Sequence, residues 1–299
     1  MTAERNATRD GFLYGLGAYL WWGLVPLYFR WLGQVEPLDI LAHRIAWSGV
    51  FLVILLTLTK RWPEITHCFR TPTLIGPLTG SAILVAYNWM MYILGVHLQI
   101  IVQSSLGYFI LPLVSVALGM LVFHEELRPL QKLAIAVAAA GVGLLTTVAG
   151  EFPWLAISLA VSFSFYGMIR KKVPVDGLIG LAVETFVLLP LALAYLAYGY
   201  TEKQEVESWD LLAKLSLSGI VTAIPLVCFG QAARRLPFSI LGFMQFISPS
   251  LQFLLAVFLF GEPVRGGWTN YALVWAALVI FSIDSYRWYR LQRASEPEA

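Results

Sequence analysis

Charge is scarce in this sequence. Only 13% of its 299 residues are Asp, Glu, Lys or Arg, about half the share an average soluble protein carries. A soluble domain of this length would need a charged shell around its core, so a soluble fold is excluded. Cysteine is nearly absent as well. Cys68 and Cys228 lie far apart and belong to no CxxC or Cys/His cluster, which gives no hint of a disulfide framework or a metal site. The four histidines, His43, His67, His97 and His124, are scattered. There is no H-E-x-x-H, no G-x-S-x-G and no G-x-x-x-x-G-K-[ST]. The chain therefore offers neither the converging nucleophile and base of an intramembrane enzyme nor the phosphate loop of a nucleotide-driven pump. No cofactor and no nucleic-acid partner is implied.

What the sequence has in abundance is apolar length. Hydrophobic residues make up 59% of it and the mean hydropathy is +0.73. Apolar runs of about 20 residues, each long enough for about 30 Å of hydrocarbon, recur almost end to end. They fall near 11–30, 38–59, 73–96, 101–123, 130–149, 153–170, 177–199, 211–233, 237–260 and 266–286. Lipid cannot satisfy free backbone groups, so an all-α integral membrane protein with ten transmembrane helices is expected. Basic residues give the direction. With the N-terminus in the cytoplasm, fifteen of the twenty Lys and Arg fall on the inner side, among them Arg170, Lys171 and Lys172. Both termini are therefore expected to be cytoplasmic. The first span is read as an anchor and not as a cleaved signal.

FHEELR at 123–128 returns as FGEPVR at 260–265. An offset of 137 superposes Pro112 on Pro249, Phe123 on Phe260, Glu125 on Glu262 and Arg128 on Arg265, and it also pairs Pro37 with Pro174 and Asp39 with Asp176. That interval spans five helices, an odd number, so the second copy enters the membrane from the opposite side. Two inverted five-helix repeats are the usual frame of a secondary transporter, which rocks around a midplane site by alternating access. The glutamates of the phrase have a plain structural reading, since a carboxylate suits a helix N-terminus and a charge marks the membrane boundary.

The same offset finds candidate site residues. Ser105, Tyr108, Pro112, Ser115 and Gly119 share one face of the fourth span, and they map onto Gly242, Gln245, Pro249, Gln252 and Ala256 in the ninth. Such a stripe suits either a shared cavity or close helix packing. Pro112 and Pro249 free backbone carbonyls and are hinge or gating candidates. Asn88 and Tyr92 share a face of the third span, Trp22 lies on that of the first, and Tyr166 lies with Ser158 and Ser162 on the sixth. Aromatic rings beside amides would suit an organic solute with an apolar body or a cationic group; packing and interface anchoring remain open for the tryptophans. Arg44 and Glu184 are ionisable groups inside spans, and both are candidates for coupling or gating. Their depths differ by roughly 10 Å, which argues against a simple bridge between them and leaves Arg44 free to snorkel outward. Asp284 reads as interfacial. The stretch AIAVAAAGVG at 134–143 fits internal packing or a homodimer equally well.

These residues resemble a known group. FHEELRPLQKLAIAVAAAGVGLL and FGEPVRGGWTNYALVWAALVIFSID, closing the two halves, look like EamA domains of the drug/metabolite transporter superfamily. GFLYGLGAYLWWGLVPLYFRWL, EPLDILAHRIAWS and YNWMMYILGV followed by SSLGYFILPLVSV resemble its RarD branch. The resemblance implies a first EamA repeat over 1–150, a second over 151–290 and a polar tail over 291–299. It further implies a bacterial inner-membrane permease for a metabolite, amino acid or drug-like solute, with a link to chloramphenicol sensitivity or resistance. In the superfamily the cavity is lined by spans one, three, four, six, eight and nine. That favours Trp22, Asn88, Tyr92, Tyr108, Tyr166, Gln245 and Gln252 as substrate-binding residues over Arg44 and Glu184. One departure stands out: Arg128 and Arg265 occupy positions where such repeats often carry Thr. The expected partners are a small solute, the bilayer, and a coupling ion or counter-solute. A non-transporting scaffold or partner subunit is the alternative.

Overall fold

The computed structural model describes residues 2–33, 35–97, 101–149, 152–203, 208–259, 261 and 268–294. Among them the chain is helical throughout, with no strand. Its first half contains α1 (Thr2–Leu32), α2 (Pro37–Thr59), α3 (Trp62–Arg70), α4 (Pro72–His97), α5 (Ile101–Phe123) and α6 (Pro129–Ala149). The second contains α7 (Trp154–Lys172), α8 (Gly177–Lys203), α9 (Trp209–Ser216), α10 (Ser218–Arg235), α11 (Phe238–Met244), α12 (Ile247–Leu254), a π-helical turn over Leu255–Leu259, and α13 (Trp268–Ala294). Proline opens α2, α4 and α6, at the position where a missing N–H costs nothing.

Six segments among the described residues are long and apolar enough to cross a membrane: Ala7–Leu32, Pro37–Thr59, Pro72–Tyr92, Gly177–Gly199, Trp209–Arg235 and Phe238–Leu259. Gly107–Phe123, Pro129–Leu144 and Ala272–Asp284 are shorter apolar helices. Large side chains such as Leu58, Leu121, Leu191 and Phe258 point outward and are more than 70% exposed. A surface this apolar is suited to lipid, and the molecule is an all-α, multi-pass membrane protein.

Several expectations are corrected. The eighth and ninth apolar runs are not single helices. The eighth changes helix at Leu217, and the ninth breaks at Gln245 and Phe246. Pro249 explains the second break, because it lacks the N–H that would bond the Gln245 carbonyl four residues back. Pro26 and Pro112 lie inside α1 and α5 without ending them. The connection after α2 forms α3, which buries Ile65 and Cys68. α13 runs to Ala294.

The repeated phrase has a shared backbone role. His124 and Gly261, 137 positions apart, both turn the chain through the left-handed region, with φ of 52° and 69°. Glu262 and Arg265 lie outside the described residues. Glu125 caps a helix, though one far along the chain: its carboxylate accepts from the backbone N–H groups of Phe238 at 2.5 Å and Ser239 at 2.7 Å, at the start of α11. Arg128 meets Asp284 of α13 at 2.6 Å. Asp284 is thus largely buried in an ion pair.

Packing alternates between the halves. α1 lies against α10 and α12, α7 lies against α4 and α5, and α2 pairs with α8. α2 and α10 approach so closely at Gly219 that a Cβ there would strike the Trp47 carbonyl. α6 packs on α13, with Ala134, Ala138 and Val142 meeting Val274, Ala277 and Phe281. That face of the small-residue stretch is therefore spent inside the molecule.

Candidate functional site

A cavity of about 260 Å³ lies between α1, α2, α4, α5, α7, α10 and α12. Trp22, Asn88, Tyr92, Tyr108, Gln245, Gln252 and Pro249 all reach it. Arg44 reaches it too, which adds α2 to the expected walls and corrects the snorkelling reading.

Proline chemistry sets two of these positions. Pro26 leaves the Trp22 carbonyl without its helical donor, and the Gln252 amide nitrogen fills the gap at 3.0 Å. Pro225 does the same to the Val221 carbonyl, which accepts from the Trp21 indole at 3.2 Å. Each proline thus creates a backbone acceptor that a side chain of another helix takes up. Trp22 then packs among Tyr19, Phe163 and Phe229, with ring centroids 5.6–5.8 Å away.

Amides bind the remaining helices. Asn88 donates to the Leu159 carbonyl at 2.8 Å and to Ser162 Oγ at 2.9 Å, joining α4 to α7. Gln245 Oε1 accepts from Ser115 Oγ at 2.9 Å, and Ser115 meets Ser164 at 3.1 Å, so α5, α7 and the α11–α12 junction share one polar chain. Among the described residues the Gln245 amide nitrogen makes no close hydrogen bond, although the residue is only 3% exposed and the Tyr19 hydroxyl is near it. Tyr92 and Tyr108 meet edge to face at 5.9 Å. Arg44 donates from Nε to Thr222 Oγ1 at 2.9 Å and lies 4.7 Å over the Trp89 ring.

Tyr166, Glu184 and Pro112 lie away from the cavity. Tyr166 is fully buried, stacks on Phe229 at 5.8 Å, and points its hydroxyl at Glu184 Oε2, 3.4 Å away. Glu184 also accepts from Ser81 at 2.6 Å and pairs with Arg170 Nε at 3.6 Å. Both members of that pair are 1% exposed. Arg170 was read as one of a run of basic residues at a helix end, yet it is the largest fully buried side chain of the molecule's described part. Its guanidinium fits because Gly180 and Gly230 have no Cβ; one added at Gly180 would collide with it. The glycine spacing in α8 and α10 was the signal available in sequence.

The cavity lies towards one end of the bundle, and contacts among the described residues tie the helices together at the other. At the end where α1 begins, Gly11 touches Arg235 and Leu236, and Phe123 packs on Phe238 at 5.5 Å. Lys171 Nζ donates to the Leu236 carbonyl at 2.5 Å, and the Glu125 cap lies beside it. Asp176 holds the rim there, bonding Arg61 at 3.0 Å and Gln231 at 2.6 Å. Burial alone would raise the Asp176 carboxyl, but Gln231, Arg61 and the Leu178 N–H together hold it below the usual carboxylate range. Hydrogen bonds from Arg61 likewise lower Glu64.

With this geometry in place, known proteins can be set beside it. The model of the EamA-like transporter family matches residues 9–147. An uncharacterized transporter of Vibrio cholerae is 43% identical over 96% of this chain and 96% of its own. Protein RarD of Escherichia coli is 41% identical over 98% of this chain and 100% of its own. One solved protein structure superposes with a TM-score of 0.67 at 19% identity, covering 92% of this chain and 96% of the other, a likeness of fold.

Proposed function

The chain belongs to the EamA-like transporter family, and we propose that it moves its solute by alternating access through the cavity beneath Trp22 and Gln252. It is a secondary transporter of small organic solutes and not an enzyme, and it is a multi-pass protein of the bacterial inner membrane. The single observation that carries the alternating-access reading is the asymmetry of the bundle. Its cavity lies between helices towards one end, while Glu125, Phe238 and Leu236 make contacts that tie the other.

On this reading ten crossings form two inverted five-helix repeats over 1–150 and 151–290. Support comes from the helix starts Pro72 and Trp209, which are 137 positions apart. The exchanged packing of α1 and α7 supports it too, since each lies against the corresponding helices of the other half. Charge supports cytoplasmic termini; the tied end then faces the cytoplasm and the cavity faces outward.

Trp22, Asn88, Tyr92, Tyr108, Gln245 and Gln252 form the solute site of this proposal, and Tyr166 supports it from the layer below. Pro249 serves as the hinge, at the break it creates, and Pro112 stiffens the opposite wall against Gly242. Glu184 is retained as the coupling candidate of lower rank, because Arg170, Ser81 and Tyr166 already engage it. An ion gradient or a counter-solute drives the cycle.

Reconstituted protein tests this. Saturable flux of labelled amino acids or chloramphenicol, dependent on a pH gradient or on trapped solute, is expected in liposomes. Flux that Gln245→Ala and Asn88→Ala leave unchanged would remove the cavity from the pathway.

A further inference from the structure

Resting on the permease reading, we propose that the cavity selects organic anions: a carboxylate head on an apolar body of one or two fused rings, with Arg44 as the anion-binding residue. Arg44 is the one charged side chain on the wall among the described residues. Among the described residues it donates from Nε to Thr222, lies over the faces of Trp89, at 4.7 Å, and Phe29, at 5.9 Å, and has the neutral phenols of Tyr28, Tyr92 and Tyr108 near it. Hydroxyl and ring faces soften a guanidinium charge but cannot cancel it, and a part-buried ion without a counter-charge keeps some of its desolvation cost. Among the described residues no carboxylate lines the cavity. The missing counter-charge is supplied by the solute.

The amides sharpen the assignment. The nitrogens of Asn88 and Gln252 are already committed, to Leu159 and Ser162 and to Trp22 and Ser248. Gln245 differs, since among the described residues its nitrogen makes no close hydrogen bond and has only the Tyr19 hydroxyl as a polar neighbour. The donors left over at this wall therefore come from Arg44 and Gln245, and donors call for an acceptor-rich head. A cationic solute finds its natural seat taken. The Trp89 face that could stack a solute ammonium already carries Arg44, so a second cation would meet uncompensated like charge. Trp22, Phe163, Tyr108, Leu226 and Pro26 supply the apolar remainder of the wall, matched to a ring system.

The test uses three probes of one shape: indole-3-acetate, indole-3-acetamide and tryptamine, titrated calorimetrically into purified full-length protein at neutral pH. Indole-3-acetate should bind about tenfold or more tighter than the other two, as a charge-assisted bidentate contact exceeds a neutral one. Arg44→Gln should erase that preference while keeping affinity for the amide, and Arg44→Lys should retain part of it. Gln245→Glu preserves the acceptor for Ser115 and adds negative charge, so it should lose the acetate and gain tryptamine. Equal or better binding of the amide or amine to the unmodified protein, or an unchanged preference in Arg44→Gln, overturns the proposal, as does binding of none of the three. Liposome flux of the tightest probe separates the two readings. An anion-selective site without flux would sink alternating transport through it and leave the anion site standing.

Discussion

The Gln252 amide nitrogen donates to the Trp22 carbonyl at 3.0 Å, the very acceptor that Pro26 strips of its helical partner. Sequence defect and distant repair are energetically one feature. Gln252→Leu should therefore lower stability by about 1 kcal/mol, the typical net worth of such a bond. In a Pro26→Ala background the backbone N–H returns to the Trp22 carbonyl, and the cost should largely disappear. Thermal unfolding of the two single variants and the double in detergent measures the coupling. Additive losses would mean that Gln252 acts elsewhere.

Arg170 and Glu184 should behave as an inseparable pair. Removing one partner leaves the other charged and dry, a loss of about 3–5 kcal/mol. Arg170→Met and Glu184→Gln should each unfold early on heating, whereas the double variant should recover most of the loss, because Gln can still accept from Ser81. Gly180→Ala should be as harmful as either single change, as its Cβ meets the guanidinium. If Glu184→Gln proves fully stable but uncouples flux from a pH gradient, the residue is a coupling group after all.

How far these features could be read in advance depended on their range. The helix-forming runs and the first-position prolines were legible, because apolar length and proline's missing N–H act locally. Most of the cavity wall was legible as well, since polar and aromatic residues at helical spacing in Trp22, Asn88, Tyr108 and Gln245 must face something other than lipid. Arg44 was a coupling or gating candidate left free to snorkel, because Thr222, 178 positions away, is invisible to local reasoning. Arg170 looked like part of a solvated basic run, and its cradle is assembled from glycines of two other helices. Tyr166 was placed with Ser158 and Ser162, and its neighbour Phe165 diverges from it by about 100°; Phe165 is 40% exposed and Tyr166 is buried.

Acid should loosen the tied end. The Asp176 and Glu64 carboxyls are held below their ordinary values by Gln231 and Arg61, so their contribution is fully present above the usual carboxylate range, near pH 4. It is lost as pH falls through their lowered folded values. Melting temperature measured from pH 7 to pH 3 should drop steeply at the acid end, and Asp176→Asn should flatten that limb while lowering the plateau. A parallel acid limb in the variant would assign it to other carboxylates.

Glu125 should control access to the tied end. One carboxylate there accepts two backbone N–H groups, from Phe238 and Ser239, and thereby ties the turn after α5 to the start of α11. Gln keeps the size but offers a single acceptor oxygen and turns an N–H₂ towards a backbone donor. Glu125→Gln should therefore weaken the tie and raise the population open at this end. The reporter is Ser239→Cys in a background carrying Cys68→Ser and Cys228→Ser, labelled by a membrane-impermeant maleimide. Ser239 is only 5% exposed, so labelling should be slow in the parent and several-fold faster with Glu125→Gln. If α11 moves as part of the transport cycle, a bound solute should change that rate in both backgrounds. Labelling that ignores both the substitution and the solute would make the Glu125 cap a fixed joint and move the closing step to another part of the bundle.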